Sequence, residues 1–298
     1  MISIDTNQIK NVFKELNSKN NGKGYKKSYE DSISEINSAA FSEYGVTLSK
    51  SILLFCRDNF KEISPAIPPL LADIINKRII KAIDENEKNI SILNPDGLYN
   101  LLSGIEGENV KVDIDGNAGG TCGSYSSGLN VTINGFAGRY LGDNSYKGLF
   151  IVKGDADEGL GLTNSGTNYF VFGKTLSRTF VQARAGTAVI VNGLGEYSGL
   201  YMASGVLVCL DGKIGNYIGN AMVGGSIYIP GKSVNEKTVG KGVTLAEKLQ
   251  EEDYELLRNV FRKYASVENF RINDTNNSVI VSEKEYFLSN LVKIVPVS

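Results

Sequence analysis

Residues 131–142 read VTINGFAGRYLG, an apolar strand-like segment followed by three glycines, and this stretch recurs in altered form about every nineteen residues. The leading glycines of successive copies are spaced 19, 19, 19, 20, 19 and 19 residues apart. We predict that all seven form structural turns: Gly116, Gly135, Gly154, Gly173, Gly193, Gly212 and Gly231. Asn or Asp precedes four of them, which favours a positive φ at a tight turn.

Each leading glycine follows an apolar pair, at the fourth and second positions before it. The pairs are Val112 and Ile114, Val131 and Ile133, Phe150 and Val152, Tyr169 and Val171, Val189 and Val191, Val208 and Leu210, and Ile227 and Ile229. Such alternation predicts one short strand per copy, with both members of the pair facing a common interior. A repeat of this length indicates coils of strands that stack in parallel, a β-helix of about six to seven coils over residues 95–243.

Two other interpretations of the glycines are disfavoured. A flexible linker lacks a fixed period and paired β-branched residues. A β-propeller or antiparallel barrel is disfavoured because nineteen residues are too few for a four-stranded blade. Asp157 replaces one of the later glycines in the third copy, and Leu176 and Phe180 replace two in the fourth, so the stack must tolerate variation at its corners.

The residue between the two members of each pair predicts an apolar outer face. Asp113 and Thr132 in the first copies give way to apolar residues in the later ones. Because this position should point outward, we predict an interface at Ile151, Phe170, Ile190 and Tyr228, with Cys209 on the same face. Either the flanking segments of this chain or a protein partner would cover it.

The run Gly135-x-x-Gly138-x-x-x-Gly142 resembles the glycine-repeat (GXGXG) domain at the C-terminal end of the glutamate synthase large subunit. That domain is also found in the C-type subunit of formylmethanofuran dehydrogenase and as a free-standing protein in some archaea. The segments Leu98–Leu102 and Val110–Ile114 are similar to the short helix and entry strand that open the family's β-helix. Residues 249–257 (LQEEDYELL) are similar to its acidic helix after the coils. The resemblance implies a right-handed β-helix.

The resemblance also implies a function without catalysis by this chain. The amidotransferase half of glutamate synthase uses an N-terminal cysteine, whereas this chain begins Met1-Ile2 and lacks the clustered cysteines of an iron–sulfur site. We therefore expect a scaffold subunit of an oxidoreductase complex, with amidotransferase or flavoprotein partners and with no catalytic, cofactor-binding or metal residues of its own. The alternatives are an independent binding or self-assembly module, forming a homo-oligomer, and a formylmethanofuran dehydrogenase C-type subunit.

Composition excludes several kinds of chemistry. The 298 residues include no histidine, which removes Ser-His-Asp and Cys-His catalysis and any His-ligated metal site. Cys56, Cys122 and Cys209 have no metal-binding spacing and are expected to be buried apolar side chains. The acidic run Asp155, Asp157 and Glu158 is consistent with a cation or acid–base site, although a charge run at a corner is more often solvated.

The net charge of −2 argues against a nucleic-acid partner. No stretch approaches the ~20 apolar residues of a membrane span, and the first residues lack a secretory signal, so we expect a cytoplasmic protein.

The fold class predicted is α+β, in three parts. Residues 1–94 should form a helical domain of unknown role, because apolar residues recur at helical spacing in four segments: 9–16, 33–40, 48–55 and 71–83. This domain would specify a partner or cap the stack. Residues 95–243 form the β-helix, and residues 244–298 form a C-terminal helix and an extended tail.

Overall fold

The computed structural model describes residues 1–7, 63–246 and 248–297, without the side chains of 63–70. Its main element is an eleven-stranded sheet in which nine strands stack in parallel in chain order, giving a β-solenoid of about seven turns. The nine strands are β1 (Ile2–Asp5), β2 (Asn89–Leu93), β3 (Glu106–Asp115), β4 (Ser127–Ile133), β5 (Leu149–Val152), β6 (Asn168–Val171), β7 (Thr187–Leu194), β8 (Val206–Ile214) and β9 (Ser226–Pro230). The predicted stack of strands is confirmed, and the described part is mostly β.

Two columns of inward side chains form the solenoid core. Strand pairing places one inward residue of each coil directly on that of the next, in the order Val131, Phe150, Tyr169, Ala188, Leu207 and Ile227. The second column contains Ile133, Val152, Val171, Ile190 and Cys209. All are buried in one continuous cluster. Stacking therefore removes from water an apolar surface that a single coil would leave exposed.

The predicted inward pairs are wrong in two coils. Ala188 and Ile190 point inward in β7, whereas Val189 and Val191 belong to the separate outer cluster. The same shift places Cys209 inside and Val208 outside in β8. Strand pairing aligns Val171, Ile190 and Cys209, but Gly193 and Gly212 follow the last two by three residues, whereas Gly173 follows Val171 by two. The leading glycine then comes one residue later than in the other coils, so counting back from it gives the wrong face.

The leading glycines are required for two different reasons. Gly212 has a φ of +87°, and a Cβ built on it would lie 2.5 Å from the carbonyl oxygen of Asn192. Gly135 has no positive φ, but a Cβ there would lie 2.8 Å from the carbonyl oxygen of Gly116. The positive φ expected at Gly135 is therefore wrong, because lack of room, and not the dihedral angle, requires glycine at that corner.

A glycine missing from the fourth coil is replaced by an aromatic side chain that fills the core. Phe180 adopts a φ of +60° and is fully buried, with its ring edge-on to Tyr169 at 5.8 Å between centroids. In the preceding coil Gly161 makes room for it, because a Cβ there would lie 2.8 Å from the Phe180 ring. A large and a small residue at equivalent positions of adjacent coils thus preserve the packing.

The N-terminal part contributes strands as well as a helix. β1 pairs in parallel with β2, and β2 with β3, so both are rungs of the solenoid sheet. The helix predicted at residues 71–83 is confirmed within α1 (Ile63–Asp84), and those predicted at 9–16, 33–40 and 48–55 lie outside the described residues. The prediction of a separate helical domain is not supported. Residues 98–102, expected to form a short helix, instead form a turn of the first coil, with positive φ at Asn100 and Leu102.

Helix α1 packs against the first coil and forms hydrogen bonds with its backbone. Gly123 and Gly142, at equivalent turn positions, donate their N–H groups to carbonyl oxygens of the preceding coil. The Leu102 N–H donates instead to a side chain, Oδ1 of Asn76 on α1, at 2.8 Å. The Asn76 amide also donates to the carbonyl oxygen of Asn100 at 2.8 Å. A buried backbone donor without a partner would be costly, so this side chain stabilises the first coil.

We expect Asn76→Ala to lower the free energy of unfolding by about 1–3 kcal/mol, because it leaves the Leu102 N–H and the Asn100 carbonyl without their partner. Chemical denaturation measures the loss, and hydrogen exchange should show faster exchange of the Leu102 amide. Asn89→Ala is the matched control, since the Asn89 side chain is exposed on β2. Equal stability of the two variants would contradict the capping role.

The C-terminal end of the stack is closed by antiparallel strands and a second layer. β14 (Leu291–Pro296) pairs with β9, and β10 (Val243–Leu245) pairs with β14. Between them the chain forms α2 (Glu251–Arg262) and a three-stranded antiparallel sheet of β11 (Phe270–Asn273), β12 (Ser278–Val281) and β13 (Lys284–Phe287). The predicted acidic helix is confirmed as α2, and much of the predicted extended tail is paired in sheets. We call residues 249–291 the C-terminal cover.

Candidate functional site

The predicted apolar outer face is covered by this chain itself. Phe170 and Tyr228 point outward, as predicted, and are fully buried with residues of the C-terminal cover. Ile151 is partly buried at the edge of the same cluster. The outward direction predicted for Ile190 and Cys209 is wrong, because the glycine from which it was counted comes one residue later in these two coils. Both side chains lie in the inner core, and Val189 and Val208 lie outside. At Phe170 and Tyr228 the outer face is therefore covered by a flanking segment of this chain, and not by a protein partner.

Aromatic rings attach the cover to the solenoid. Phe170 lies at the centre of the cluster, with centroid distances of 5.1 Å to Tyr264, 5.3 Å to Phe270 and 5.1 Å to Phe172. The Tyr264 hydroxyl lies 2.8 Å from the hydroxyl of Thr187 on β7. Rings of this size bury large apolar areas, and the hydroxyl contact fixes their orientation.

A buried carboxylate joins three elements at the other end of the cover. Asp253 lies in the first turn of α2, where its Oδ2 accepts from the Gln250 N–H in a capping box. Its Oδ1 lies 2.6 Å from Nζ of Lys293 on β14 and accepts from the Tyr228 hydroxyl at 2.8 Å. Burial acts to raise the pKa of Asp253, but the bonds from Lys293, Gln250 and Tyr228 outweigh it and hold the pKa below its usual 3.8. Asp253 therefore remains ionised at neutral pH.

We expect Lys293→Gln to lower the free energy of unfolding by about 2–3 kcal/mol at pH 7, because it leaves the Asp253 carboxylate buried without its cation. Since the folded pKa lies below the unfolded one, the stabilisation is complete above about pH 5 and is lost as the pH falls through the folded value. The difference from the parent protein should therefore shrink towards pH 3 in denaturation curves. The exposed Lys241→Gln is the control, and a difference independent of pH would contradict this account.

The three carboxylates of the predicted acidic run each have a different partner. Asp157 pairs with Arg139 at 3.6 Å and Glu158 with Arg178 at 2.7 Å, while Asp155 Oδ1 accepts from the Lys174 N–H at 3.0 Å. The three carboxylates thus serve three different partners. Across the described ranges, no group of three or more His, Cys, Asp or Glu side chains is arranged to hold a metal ion.

Two cysteines lie in the solenoid core. Cys122 and Cys209 are buried, as predicted, and desolvation raises the pKa of each thiol to about 12. Both therefore remain protonated at neutral pH. Cys56 lies outside the described residues.

Two of the surface grooves formed by the described residues have charged side chains in their lining. The first, of about 360 Å³, lies between β8 and β13, and in it the Asp211 carboxylate bridges Lys232 and Lys284, both at 2.6 Å. These two lysines hold the pKa of Asp211 well below its usual range. The charged groups of Asp211, Lys232 and Lys284 in this groove are therefore already paired with one another.

The second groove, of about 470 Å³, lies at the corners after β6, β7 and β8, and we call it the corner groove. Its polar lining includes Lys174, Thr175, Asn192, Glu196, Lys213 and Asn216. Sequence reasoning missed it because these residues come from different coils. The one signal was the single 20-residue spacing, between Gly173 and Gly193, since Gly193 lines this groove.

Fold and site together define a capped β-solenoid with its own C-terminal cover. The family described as GXGXG motif matches residues 98–297, which include both the coils and the cover. The chain belongs to this family.

Similar proteins include glutamate synthases. Over 258 residues the chain is 25% identical to the ferredoxin-dependent glutamate synthase of Antithamnion sp.. This alignment covers 77% of this chain and 16% of the relative. The chain is 26% identical over 211 residues to the enzyme of the same name from Pyropia yezoensis (63% and 14%), and 22% identical over 210 residues to the glutamate synthase [NADPH] large chain of Bacillus subtilis (65% and 13%). The match thus spans about one sixth of these relatives or less. Neither described helix is long and apolar enough to cross a membrane.

Proposed function

We propose that the chain is a non-catalytic scaffold that holds amidotransferase and flavoprotein partners of an oxidoreductase complex in fixed geometry. The observation that carries the proposal is the match of residues 98–297 to the GXGXG motif family. The similarity of the chain to glutamate synthases supports it. That match includes the C-terminal cover together with the coils, so the family model treats the two as one unit. We also infer a right-handed coil, the hand that parallel crossovers favour.

The solenoid has the rigidity that a scaffold needs. In the turns, backbone N–H groups donate both to the preceding and to the following coil, as Gly142 does to Cys122 and Tyr140 to Glu158. The sheet face carries the C-terminal cover. Each coil is thus held by both of its neighbours, which supports the fixed geometry that a scaffold requires.

The turns carry the surface on which we expect the partners to dock. Tyrosines in these segments remain exposed, with side chains on several coils: Tyr99 at 61%, Tyr125 at 66%, Tyr146 at 50% and Tyr201 at 54%. Tyrosine is enriched in protein interfaces because it offers a large rigid contact area with a polar tip. The sheet face is not available for this role at Phe170 and Tyr228, which are already buried.

Co-purification tests the proposal. The tagged chain, expressed in its native cell, should retain a flavoprotein or an amidotransferase in stoichiometric amount, and Tyr125→Ala combined with Tyr201→Ala should reduce the recovery. Lys111→Ala on β3 is the control. Recovery of the chain without either partner would overturn the scaffold role.

Two alternatives have distinct outcomes in the same experiment. A stable homo-oligomer with no stoichiometric partner, measured by native mass spectrometry, would favour a self-assembly module. Molybdopterin or tungstopterin in the purified complex, in place of flavin, would favour a formylmethanofuran dehydrogenase C-type subunit.

A further inference from the structure

The corner groove is produced by a local departure from the regular coil. β5 and β6 end two residues before their leading glycines, whereas β7 and β8 continue past Gly193 and Gly212 to Leu194 and Ile214. Opposite Leu194 the register shifts by one residue. A bulge of this kind redirects side chains and opens the backbone at the corner, so the groove is specific to these coils.

The groove has an excess of positive charge. Lys174 and Lys213 are exposed at its rim, and neither ammonium group forms an ion pair within the part of the chain that the structure describes. The lining contains one carboxylate, that of Glu196. Two cations against one anion at a concave surface attract a negatively charged group, and the field is focused by the groove walls.

Thr175 supplies a hydrogen-bonding group beneath this rim. It is only 2% exposed, and its Oγ1 is buried without a hydrogen-bond partner. In the three preceding coils the equivalent residue is alanine, at Ala118, Ala137 and Ala156. Thr175 adds to this alanine column a hydroxyl without a partner, which is destabilising on its own. Rotation about its χ1 angle would bring the hydroxyl to an oxygen acceptor in the groove.

We propose that the corner groove binds a small molecule through an oxyanion group, either phosphate or carboxylate, which lies between Lys174 and Lys213 and accepts a hydrogen bond from Thr175. Charge-assisted hydrogen bonds of this type are stronger than neutral ones. The site is separate from the exposed turn tyrosines and goes beyond the scaffold role, since a scaffold without any ligand would need neither the unpaired lysines nor the buried hydroxyl.

The test uses the full chain and two probes, inorganic phosphate and succinate, each titrated at constant ionic strength with chloride as the blank. Amide chemical shifts of Gly193, Gly195 and Gly215 should change saturably with at least one probe. Saturation with phosphate alone identifies a phosphate-bearing ligand, and saturation with succinate alone identifies a carboxylate. Absence of saturation with both probes would overturn the proposal.

Three variants separate a built site from a surface effect. Lys174→Gln combined with Lys213→Gln should weaken binding at least tenfold, whereas Lys111→Gln combined with Lys147→Gln, with the same change in charge outside the groove, should leave it unaltered. Thr175→Val should weaken binding about tenfold and raise the melting temperature of the free protein. Shifts that survive the groove lysine variant would indicate an adventitious ion only. A Thr175→Val variant that is more stable and binds equally well would show that the hydroxyl does not contact the ligand. Either result contradicts the proposal.

Discussion

Gly212→Val is expected to lower the free energy of unfolding by about 3–5 kcal/mol, since two penalties act at one position. A β-branched residue resists the φ of +87° at Gly212, at a cost of about 1–3 kcal/mol. Its Cβ would also lie 2.5 Å from the Asn192 carbonyl oxygen and 2.9 Å from the Gly193 nitrogen, both of which are backbone atoms. Because neighbouring backbone cannot rotate away like a side chain, the coils must separate, and overpacking of this kind costs about 1–3 kcal/mol more.

Two other glycines separate these penalties. Gly97 has a φ of +71° with no atom within 4 Å of a built Cβ, so Gly97→Val should show the dihedral cost alone, about 1–2 kcal/mol. Gly135 has no positive φ and a Cβ 2.8 Å from the Gly116 carbonyl oxygen, so Gly135→Val should show the steric cost alone. Gly212→Val should therefore lower the free energy of unfolding more than Gly97→Val or Gly135→Val does.

Chemical denaturation gives the free energies, and hydrogen exchange at β7 and β8 shows whether the damage is local. A long repeat array does not always unfold in one step, so the exchange data identify which coils open first. Equal stability of Gly212→Val and Gly97→Val would mean that the coils accommodate the extra atoms, and it would contradict the steric explanation.

The period of the sequence predicted the architecture because it records a physical requirement that every coil repeats. Inward residues such as Val131 and Ile133 must alternate with outward ones, and the chain must turn where the next backbone lies closest. These requirements act within about twenty residues. They can therefore be inferred from the chain without knowledge of its tertiary contacts.

The direction of Ile190 could not be predicted in the same way. Residues 187–191 read TAVIV, apolar on both faces, because the solenoid core lies on one side of β7 and the C-terminal cover on the other. Alternation carries no information where both faces are buried. The inward positions could then be counted only from the leading glycine. Because one extra residue separates Ile190 from Gly193, that count was wrong by one position.

The N-terminal strands and the corner groove depend on contacts between distant segments. β1 reads ISID, too short to give a pattern, and it becomes a strand by pairing with β2 almost ninety residues later. Lys174 and Lys213 approach the same groove only because the coils stack. Sequence patterns within one coil do not encode either arrangement.

The cover itself gives the second large effect. Phe170→Ala should lower the free energy of unfolding by about 3–5 kcal/mol, as expected for removal of a fully buried aromatic ring. The ring contacts Tyr264 and Phe270, both in the cover, so the cavity opens at the junction between cover and solenoid. Phe136→Ala is the matched control, because the same substitution at a ring 39% exposed should cost about 1 kcal/mol or less.

The location of the loss distinguishes a hinged cover from a uniformly weakened solenoid. If the aromatic cluster attaches the cover, Phe170→Ala should speed hydrogen exchange in α2 and β11–β13 far more than in β3 and β4, since the inner columns at those coils do not include Phe170. Tyr264→Phe, which removes only the hydroxyl contact with Thr187, should shift exchange in the same segments by a smaller amount. Faster exchange throughout the coils, with no preference for the cover, would mean that cover and solenoid unfold as one unit and that Phe170 stabilises both alike.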